Sequence, residues 1–133
     1  MMTDYKAKIN GVLPEQLETL QAAQHLTDMC HGLAAQAGWW DDASKRNVPT
    51  LLMLCVSELA EAMEGDRKGL MDDHLPTRPM LEVELADCLI RIFDMAGGLG
   101  IDVAGAMLEK LQYNTNRADH KKQNREAENG KTY

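Results

Sequence analysis

The sequence predicts an all-α fold, a domain of the four-helix bundle type, from three observations. Leu, Ala, Met, Glu and Gln dominate the composition and favour helices. Aromatic residues make up only 5% of the chain, and apolar residues recur at helical spacing without alternating with polar ones. Four such segments joined by short links favour a bundle. Because 133 residues suffice for one core, we expect a single domain over 1–133.

Prolines and glycines mark the ends of the first two helices. After an N-terminal extension, 1–13, the first helix begins near Pro14, which suits a first helical turn, and ends at Gly38. Pro49 opens the second helix in the same way, and the helix runs to about Glu64, where glycines follow. We therefore expect a loop between Gly38 and Pro49.

The third and fourth helices follow a loop that contains two prolines. The third helix runs from about Met80 to Ala96, after which closely spaced glycines break the chain. Asp102 is a suitable N-cap for the fourth helix, which reaches roughly Thr115. The polar segment 116–133 forms the tail of the chain.

Charge and composition exclude several classes of function. The net charge of −7 argues against a nucleic-acid polymer as partner, because polymer binding rests on a basic surface. The longest apolar run, 51–56, is far shorter than the roughly 20 residues that cross a bilayer. The N-terminus has no secretory pattern, so we expect a cytoplasmic protein without a membrane partner. Three separated cysteines, Cys30, Cys55 and Cys88, are expected to be buried, reduced thiols.

Acidic residues lie beside the apolar face of the second helix. Each helical residue advances by about 100°, which places Glu58 and Glu61 at the border of the apolar arc and not opposite it. A carboxylate at the border of a core needs a polar or charged partner.

The third helix carries a polar stripe on a largely apolar surface. Its members recur at spacings of three, four and three residues and are Glu84, Asp87, Arg91 and Asp94. If this stripe packs against the edge that carries Glu58 and Glu61, four carboxylates gather in a small volume, which is tolerable only with cations present. Oxygen ligands of this kind favour hard divalent ions, Mg²⁺ first and Mn²⁺ second.

At these acidic residues the chain resembles the MazG-like family of all-α nucleoside triphosphate pyrophosphohydrolases, whose signature is E-x-x-E, a spacer, then E-x-x-D. The two halves of the signature lie in SELAEAMEGDRKG and EVELADCLIRIFDMAGGLGID, with 22 residues between Glu61 and Glu84. The resemblance spans roughly Trp39 to Arg117. It implies a helical oligomer, Mg²⁺ dependence, and cleavage of an NTP or dNTP into a nucleoside monophosphate and pyrophosphate.

The resemblance also implies roles for the acidic residues. The metal-ligand positions of the family correspond to Glu58, Glu61, Glu84 and Asp87. One member of the second-helix pair, Glu61 in preference to Glu58, would instead be catalytic by orienting the attacking water.

Other residues correspond to substrate-contact positions of the family. These are Trp40, Lys45, Arg46, Asn47, Arg91, Asp94, Lys110, Asn114 and Arg117. The first four belong to a segment that resembles the loop closing over nucleotide in relatives, where Trp39 or Trp40 offers an aromatic ring for base stacking.

Several of these positions have alternative interpretations. Arg91 is also suited to an ion pair that keeps Asp87 or Asp94 ionised. Asp94 is either an additional ligand or a sugar contact. Lys110 and Arg117 can hold the outgoing phosphates, or can simply favour the negative end of their helix.

The apolar circumference of the third helix predicts a homo-oligomer, a dimer or a tetramer, because so small a domain cannot bury every face itself. The alternative function is a non-catalytic helical module for protein–protein interaction, which nine methionines would suit. Such a module would not require the acidic stripe. A di-iron bundle is disfavoured because its Glu-x-x-His motif is missing, and an HD-type phosphohydrolase because the His-Asp order is reversed.

Overall fold

The computed structural model describes residues 14–117, 119 and 121–131, and the predicted N-terminal extension lies outside them. Regular secondary structure in this part of the chain is helical, apart from one isolated β-bridge in the loop before α3. The helices are α1 (Pro14–Gln36), a 3-10 helix (Ala43–Lys45), α2 (Val48–Lys68), α3 (Met80–Leu99), α4 (Val103–Asn116) and α5 (Lys122–Arg125). The predicted all-α class is confirmed, whereas the bundle arrangement stays a prediction.

The observed ends of α1 and α4 agree closely with those predicted from the sequence. α1 begins at the predicted Pro14, and Gly38 follows its last turn in the left-handed conformation at φ 85°. The side chain of Asp102 caps α4 by accepting a 2.9 Å hydrogen bond from the backbone N–H of Gly105. The described part of the tail, 116–133, also contains the short helix α5.

Local caps explain where α2 begins and ends. The side chain of Asn47 accepts a hydrogen bond from a backbone N–H of the first turn. Gly69 ends the helix in the left-handed conformation, at φ 62°. The predicted end at Glu64 is wrong, because Gly65 continues the helix and provides room for Met80. A Cβ at position 65 would lie 2.8 Å from the Met80 side chain.

α3 also extends beyond its predicted end. We expected the helix to stop at Ala96, whereas it includes Gly97 and Gly98 and stops before Gly100, which has φ 67°. The two helical glycines lie where aromatic rings from an earlier part of the chain contact the helix backbone. Gly97 and Gly98 therefore allow close packing, whereas Gly100 ends the helix.

The chain divides into two compact units. One is His25–Ile101, here called the α2–α3 unit, in which α2 and α3 pack against each other. The other consists of Met1–Gln24 and Asp102–Tyr133 and is called the α4 unit. The described core of the α4 unit contains Leu20, Ala23, Ala104 and Leu108.

Much of the apolar surface of α3 is exposed in a single copy of the chain. Leu85 and Leu89 are each about half exposed. Cys55 and Cys88 are buried free thiols as expected, whereas Cys30 is partly exposed. No helix in the described residues is both long enough and apolar enough to span a membrane.

Candidate metal centre and adjoining cavity

α2 and α3 each carry a carboxylate on their buried face. Glu58 is three residues after Cys55 and four before Ala62, and all three side chains are buried. Glu84 is four residues before Cys88 on α3, and both are buried. Since residues three and four apart share one helix face, the burial of the apolar neighbours carries the two carboxylates inward with them.

Glu58, Glu84 and Asp87 form a cluster, here called the carboxylate triad. Each offers an oxygen that lies within 4.8 Å of the other two. Glu58 and Glu84 are each only 7% exposed, and Asp87 is half-buried. Glu61, the fourth predicted ligand, is exposed and lies outside the triad, although its charge still raises the pKa of Glu84. The structure thus brings together three of the four predicted ligands.

Burial and mutual repulsion make the triad favour the uptake of positive charge. Burial, together with a hydrogen bond to Glu58 and the charges of the neighbouring carboxylates, raises the pKa of Glu84 to about 7. Burial also raises the pKa of Asp87, as do the negative charges of Glu58 and Asp72. Either a proton or a cation relieves this repulsion.

The donor set of the triad fits a divalent cation. Metal–oxygen distances of about 2.0–2.6 Å mean that two oxygens bound to the same ion lie no more than about 4–5 Å apart. The triad oxygens, within 4.8 Å of one another, meet this requirement. A bound cation would also offset the repulsion among carboxylates that burial strengthens. The triad could therefore hold a metal ion.

Arg91 forms an ion pair with Glu58, in which Nε of the arginine donates to Oε1 of the glutamate. We expected Arg91 to pair with Asp87 or Asp94, and the ion-pair partner is Glu58 instead. The physical reason is the burial of Glu58, because a buried carboxylate without a positive or hydrogen-bonded partner is costly. The positive charge of Arg91 also opposes the rise in the pKa of Asp87, which stays above its ordinary value.

Asp72 is a buried acidic residue near the triad that the sequence did not lead us to expect. It lies in the loop between α2 and α3, and its Oδ2 accepts backbone hydrogen bonds from His74 at 2.9 Å and Leu75 at 2.7 Å. Its negative charge is one cause of the raised pKa of Asp87. The sequence Asp-Asp-His indicates an Asx turn, but not that one of its carboxylates faces another helix.

A cavity of about 700 Å³ adjoins the triad. It lies within the α2–α3 unit and shares Glu58 and Asp87 with the triad. Its walls also include Trp39, Trp40, Arg46, Asn47, Arg91 and Asp94. This volume is in the range of small-molecule and cofactor sites, which span about 300–1,000 Å³. Five of the predicted substrate contacts, together with Trp39, therefore line one cavity beside the predicted metal ligands.

Asp94 contacts two aromatic side chains. Its Oδ1 accepts a 2.7 Å hydrogen bond from Nε1–H of Trp40 and lies 3.0 Å from Nδ1 of His31. The rings of His31 and Trp40 are 5.2 Å apart in an edge-to-face arrangement. Asp94 lies outside the carboxylate triad. His31 was not among the expected site residues, since an isolated histidine in an amphipathic helix has no distinguishing pattern.

The other predicted contacts of the loop have structural partners as well. Arg46 donates a hydrogen bond from Nη2 to the backbone oxygen of Trp40, and its guanidinium carbon is 5.7 Å from the centre of the Trp40 ring. Asn47 is the N-cap of α2. Lys45 ends the 3-10 helix, and its side chain lies outside what the structure describes.

Lys110, Asn114 and Arg117 belong to the α4 unit. The ammonium group of Lys110 lies 4.7 Å from the ring centre of Tyr113, and Arg117 forms an ion pair with Asp119. The side-chain oxygen of Asn114 is buried and has no hydrogen-bond donor among the described residues. The predicted phosphate contacts of these three side chains stay a prediction.

In the described residues the fold is all-helical, and a carboxylate triad with two buried members, which could hold a metal ion, lies next to a cavity of small-molecule size. Comparisons with models of protein families, with curated proteins and with solved structures found no match. The MazG-like family thus rests on the sequence motif and is carried forward as a proposal.

Proposed function

We propose that this protein is a Mg²⁺-dependent nucleoside triphosphate pyrophosphohydrolase that converts an NTP or dNTP to the nucleoside monophosphate and pyrophosphate. The observation that carries the proposal is the carboxylate triad of Glu58, Glu84 and Asp87 beside a cavity that shares two of its members. The motif resemblance to MazG-like enzymes supplies the reaction. The cavity and the triad support it, because this reaction needs a nucleotide-sized space next to a cation site.

Mg²⁺ is the preferred ion in this proposal, and Mn²⁺ is its substitute. All three triad members donate carboxylate oxygen, the ligand type that hard divalent cations favour. Bound there, the ion would neutralise phosphate charge and activate a water molecule for in-line attack.

The protein side chains then have separate tasks. Glu58, Glu84 and Asp87 hold the cation, and Glu61, exposed at the edge of the triad, orients the attacking water and accepts its proton. Arg91 faces the cavity while paired with Glu58, so its guanidinium is close enough to the triad to contact a phosphate there.

The aromatic end of the cavity suits the nucleoside. Trp39 and Trp40 line it together with Asn47. A flat base gains energy from stacking on an indole ring, and polar side chains around it provide hydrogen-bond partners. The triphosphate would then extend towards Arg91 and the triad.

The products of the reaction test the proposal. Incubated with a panel of ribo- and deoxynucleoside triphosphates, the protein is expected to release pyrophosphate and the monophosphate in the presence of Mg²⁺ or Mn²⁺. Chelation by EDTA should reduce the rate to background, and added Mg²⁺ should restore it. Ion-exchange chromatography separates pyrophosphate from orthophosphate, and orthophosphate with a nucleoside diphosphate as sole products would contradict the proposal.

A homo-oligomer is part of the same proposal. α2 carries a row of apolar side chains at spacings of four, three and four, each about half exposed or more: Leu52, Val56, Leu59 and Met63. This spacing forms one continuous seam on a helix, the pattern by which helices pack against each other. A second copy of the chain provides an equally apolar surface to cover it.

Substitutions that introduce a charge at both ends of this apolar row are expected to dissociate the oligomer. The wild type should behave as a dimer or tetramer in multi-angle light scattering, and combined Leu52→Glu and Met63→Glu should weaken association by about a hundredfold or more, because each new carboxylate would be buried without a partner. Leu75→Glu, which changes an exposed leucine of the α2–α3 loop, is the matched control. A wild type that is monomeric at micromolar concentration and fully active would exclude the oligomer.

The non-catalytic interaction module could use the same apolar row. It offers no reason for three carboxylates within 4.8 Å of one another, two of them buried, because such a cluster destabilises a protein that binds no cation. The EDTA arm of the product assay distinguishes the two functions.

A further inference from the structure

The loop between α1 and α2, residues 37–47, is joined to α3 through an aromatic contact. The indole ring of Trp40 lies directly on the α3 backbone at Gly98, where a Cβ would overlap the ring atoms. One residue earlier, His31 of α1 lies against Gly97 in the same manner. Gly97 and Gly98 belong to the last turn of α3 and not to its end cap, and glycine inside a helix is less favourable than alanine. Their presence indicates that close approach of the two rings is needed there.

Asp94 lies one turn before these glycines and provides the polar part of the same contact. A carboxylate only accepts hydrogen bonds, so both Nε1 of Trp40, at 2.7 Å, and Nδ1 of His31, at 3.0 Å, carry the hydrogens that they share with its Oδ1. Hydrogen bonds to an ionised acceptor are about twice as strong as neutral ones. One acidic side chain thus fixes the orientation of two rings.

This arrangement determines the shape of the cavity wall. Trp40 and Asp94 both line the cavity. The backbone oxygen of Trp40 also holds the guanidinium of Arg46, another lining residue, so the position of the indole sets the position of this cation as well. The remainder of the loop contains only one short 3-10 helix, capped by its own Asp42.

We propose that Asp94 is a positioning residue: together with Gly98, on which the indole lies, it clamps Trp40 against α3 and so preforms the loop 37–47 as one wall of the cavity. Gly97 admits His31, the second ring that Asp94 holds. It thereby acts on substrate binding through Trp40 and does not serve as a metal ligand. The kinetic part of this inference rests on the proposed function, whereas its structural part does not.

Fluorescence tests the clamp without any substrate. The chain contains two tryptophans, so Trp39→Phe leaves Trp40 as the single indole. In this background Asp94→Ala is expected to shift the emission of Trp40 to longer wavelength and to increase its quenching by acrylamide, because the ring loses its acceptor and leaves the helix surface. Asp94→Asn keeps an acceptor oxygen of the same shape and should give an intermediate result. Asp66→Ala, an exposed carboxylate of α2, is the matched control and should change neither readout.

Kinetics on the otherwise unchanged protein test the consequence. Asp94→Ala is expected to raise KM by about tenfold or more, as the loss of one charge-assisted hydrogen bond implies, and to change kcat far less. The effects should not be additive with Trp40→Phe, which keeps an aromatic ring at this position but removes the N–H donor. If Asp94 is a metal ligand, its removal lowers kcat and weakens the Mg²⁺ dependence, and the proposal is overturned.

The two proposals fail in different ways. If the wild type releases no pyrophosphate, the function is wrong, and the fluorescence of the single-tryptophan variants still decides whether Asp94 clamps Trp40. If Asp94→Ala and Asp94→Asn leave the emission and quenching of Trp40 unchanged, the clamp is wrong whatever the activity. If the alanine variant does not fold, as circular dichroism would show, the isosteric asparagine variant carries the same decision.

Discussion

Replacing Glu84 with glutamine is expected to lower the rate of pyrophosphate release by about a thousandfold or more. The amide has the same size as the carboxylate but carries no negative charge, so the triad loses one of its three anionic donors. The loss of a single group that stabilises charge in a transition state costs about 10²–10³ in kcat. Glu84 holds the cation on which the proposed reaction depends, and its loss should cost at least as much. Single-turnover pyrophosphate release at saturating Mg²⁺ measures the effect.

The same substitution should leave the protein in EDTA as stable as the wild type or more stable. Glu84 is buried beside Glu58 and Asp87, and removal of its charge relieves repulsion at a site that destabilises the fold without a cation. Added Mg²⁺ should raise the melting temperature of the wild type and have much less effect on the variant, since ligand stabilisation depends on affinity. Stability and activity should therefore change in opposite directions.

Glu82→Gln is the matched control for both measurements. Glu82 lies on the same helix, two residues before Glu84, but it is exposed and pairs with Arg78. Its substitution should leave turnover and the response to Mg²⁺ unchanged. If Glu84→Gln keeps near-wild-type turnover, Glu84 does not belong to the site and the motif assignment is wrong.

The part of the site that the sequence predicted is the part that depends on helical periodicity. Glu58 and Glu84 each lie three or four residues from apolar side chains of their own helix, so their burial follows from helix geometry. Buried carboxylates that repel each other are unfavourable without a positive partner, and this indicates a cation. Glu61 has the same spacing to Glu58 as Asp87 to Glu84, yet it is exposed. Periodicity places a residue on a face and does not determine how far the partner helix covers that face.

Contacts between elements distant in sequence could not be predicted. Asp94 pairs with Trp40 and His31 across 54 and 63 residues. Without the structure, Asp94 was simply the next acidic residue of the stripe. Gly97 and Gly98 were interpreted as helix breakers for the same reason, because a glycine that ends a helix and one that admits a ring look alike in sequence. Only the residue that packs against the glycine shows which of these two roles it has.

The stability of the metal-free protein is expected to fall as the pH rises from about 4.5 to about 7. Glu84 has a pKa of about 7 in the folded protein against its ordinary value of 4.5. Over this window the folded state keeps a proton that the unfolded state has already lost, so the unfolded state binds fewer protons and stability decreases with pH. The full loss is on the order of 3 kcal/mol, roughly 10 °C in melting temperature for a chain of this size. Asp87, whose pKa is also raised, contributes in the same direction.

Thermal unfolding in EDTA across this pH range measures the effect, and Glu84→Gln isolates its source. The variant should lose most of the pH dependence, because the amide does not titrate, whereas Glu82→Gln should keep it. The pKa of Glu64 is lowered by Lys68 and Arg67, so its stabilising effect is complete above its ordinary pKa of 4.5. The pH dependence that Glu64 causes therefore lies at more acid pH than this window. Saturating Mg²⁺ should flatten or reverse the slope in the wild type, since a cation competes with the proton for the same carboxylates. A wild type whose stability in EDTA rises with pH through this window would show that Glu84 is ionised in the folded protein, and would remove the physical reason for a cation at the triad.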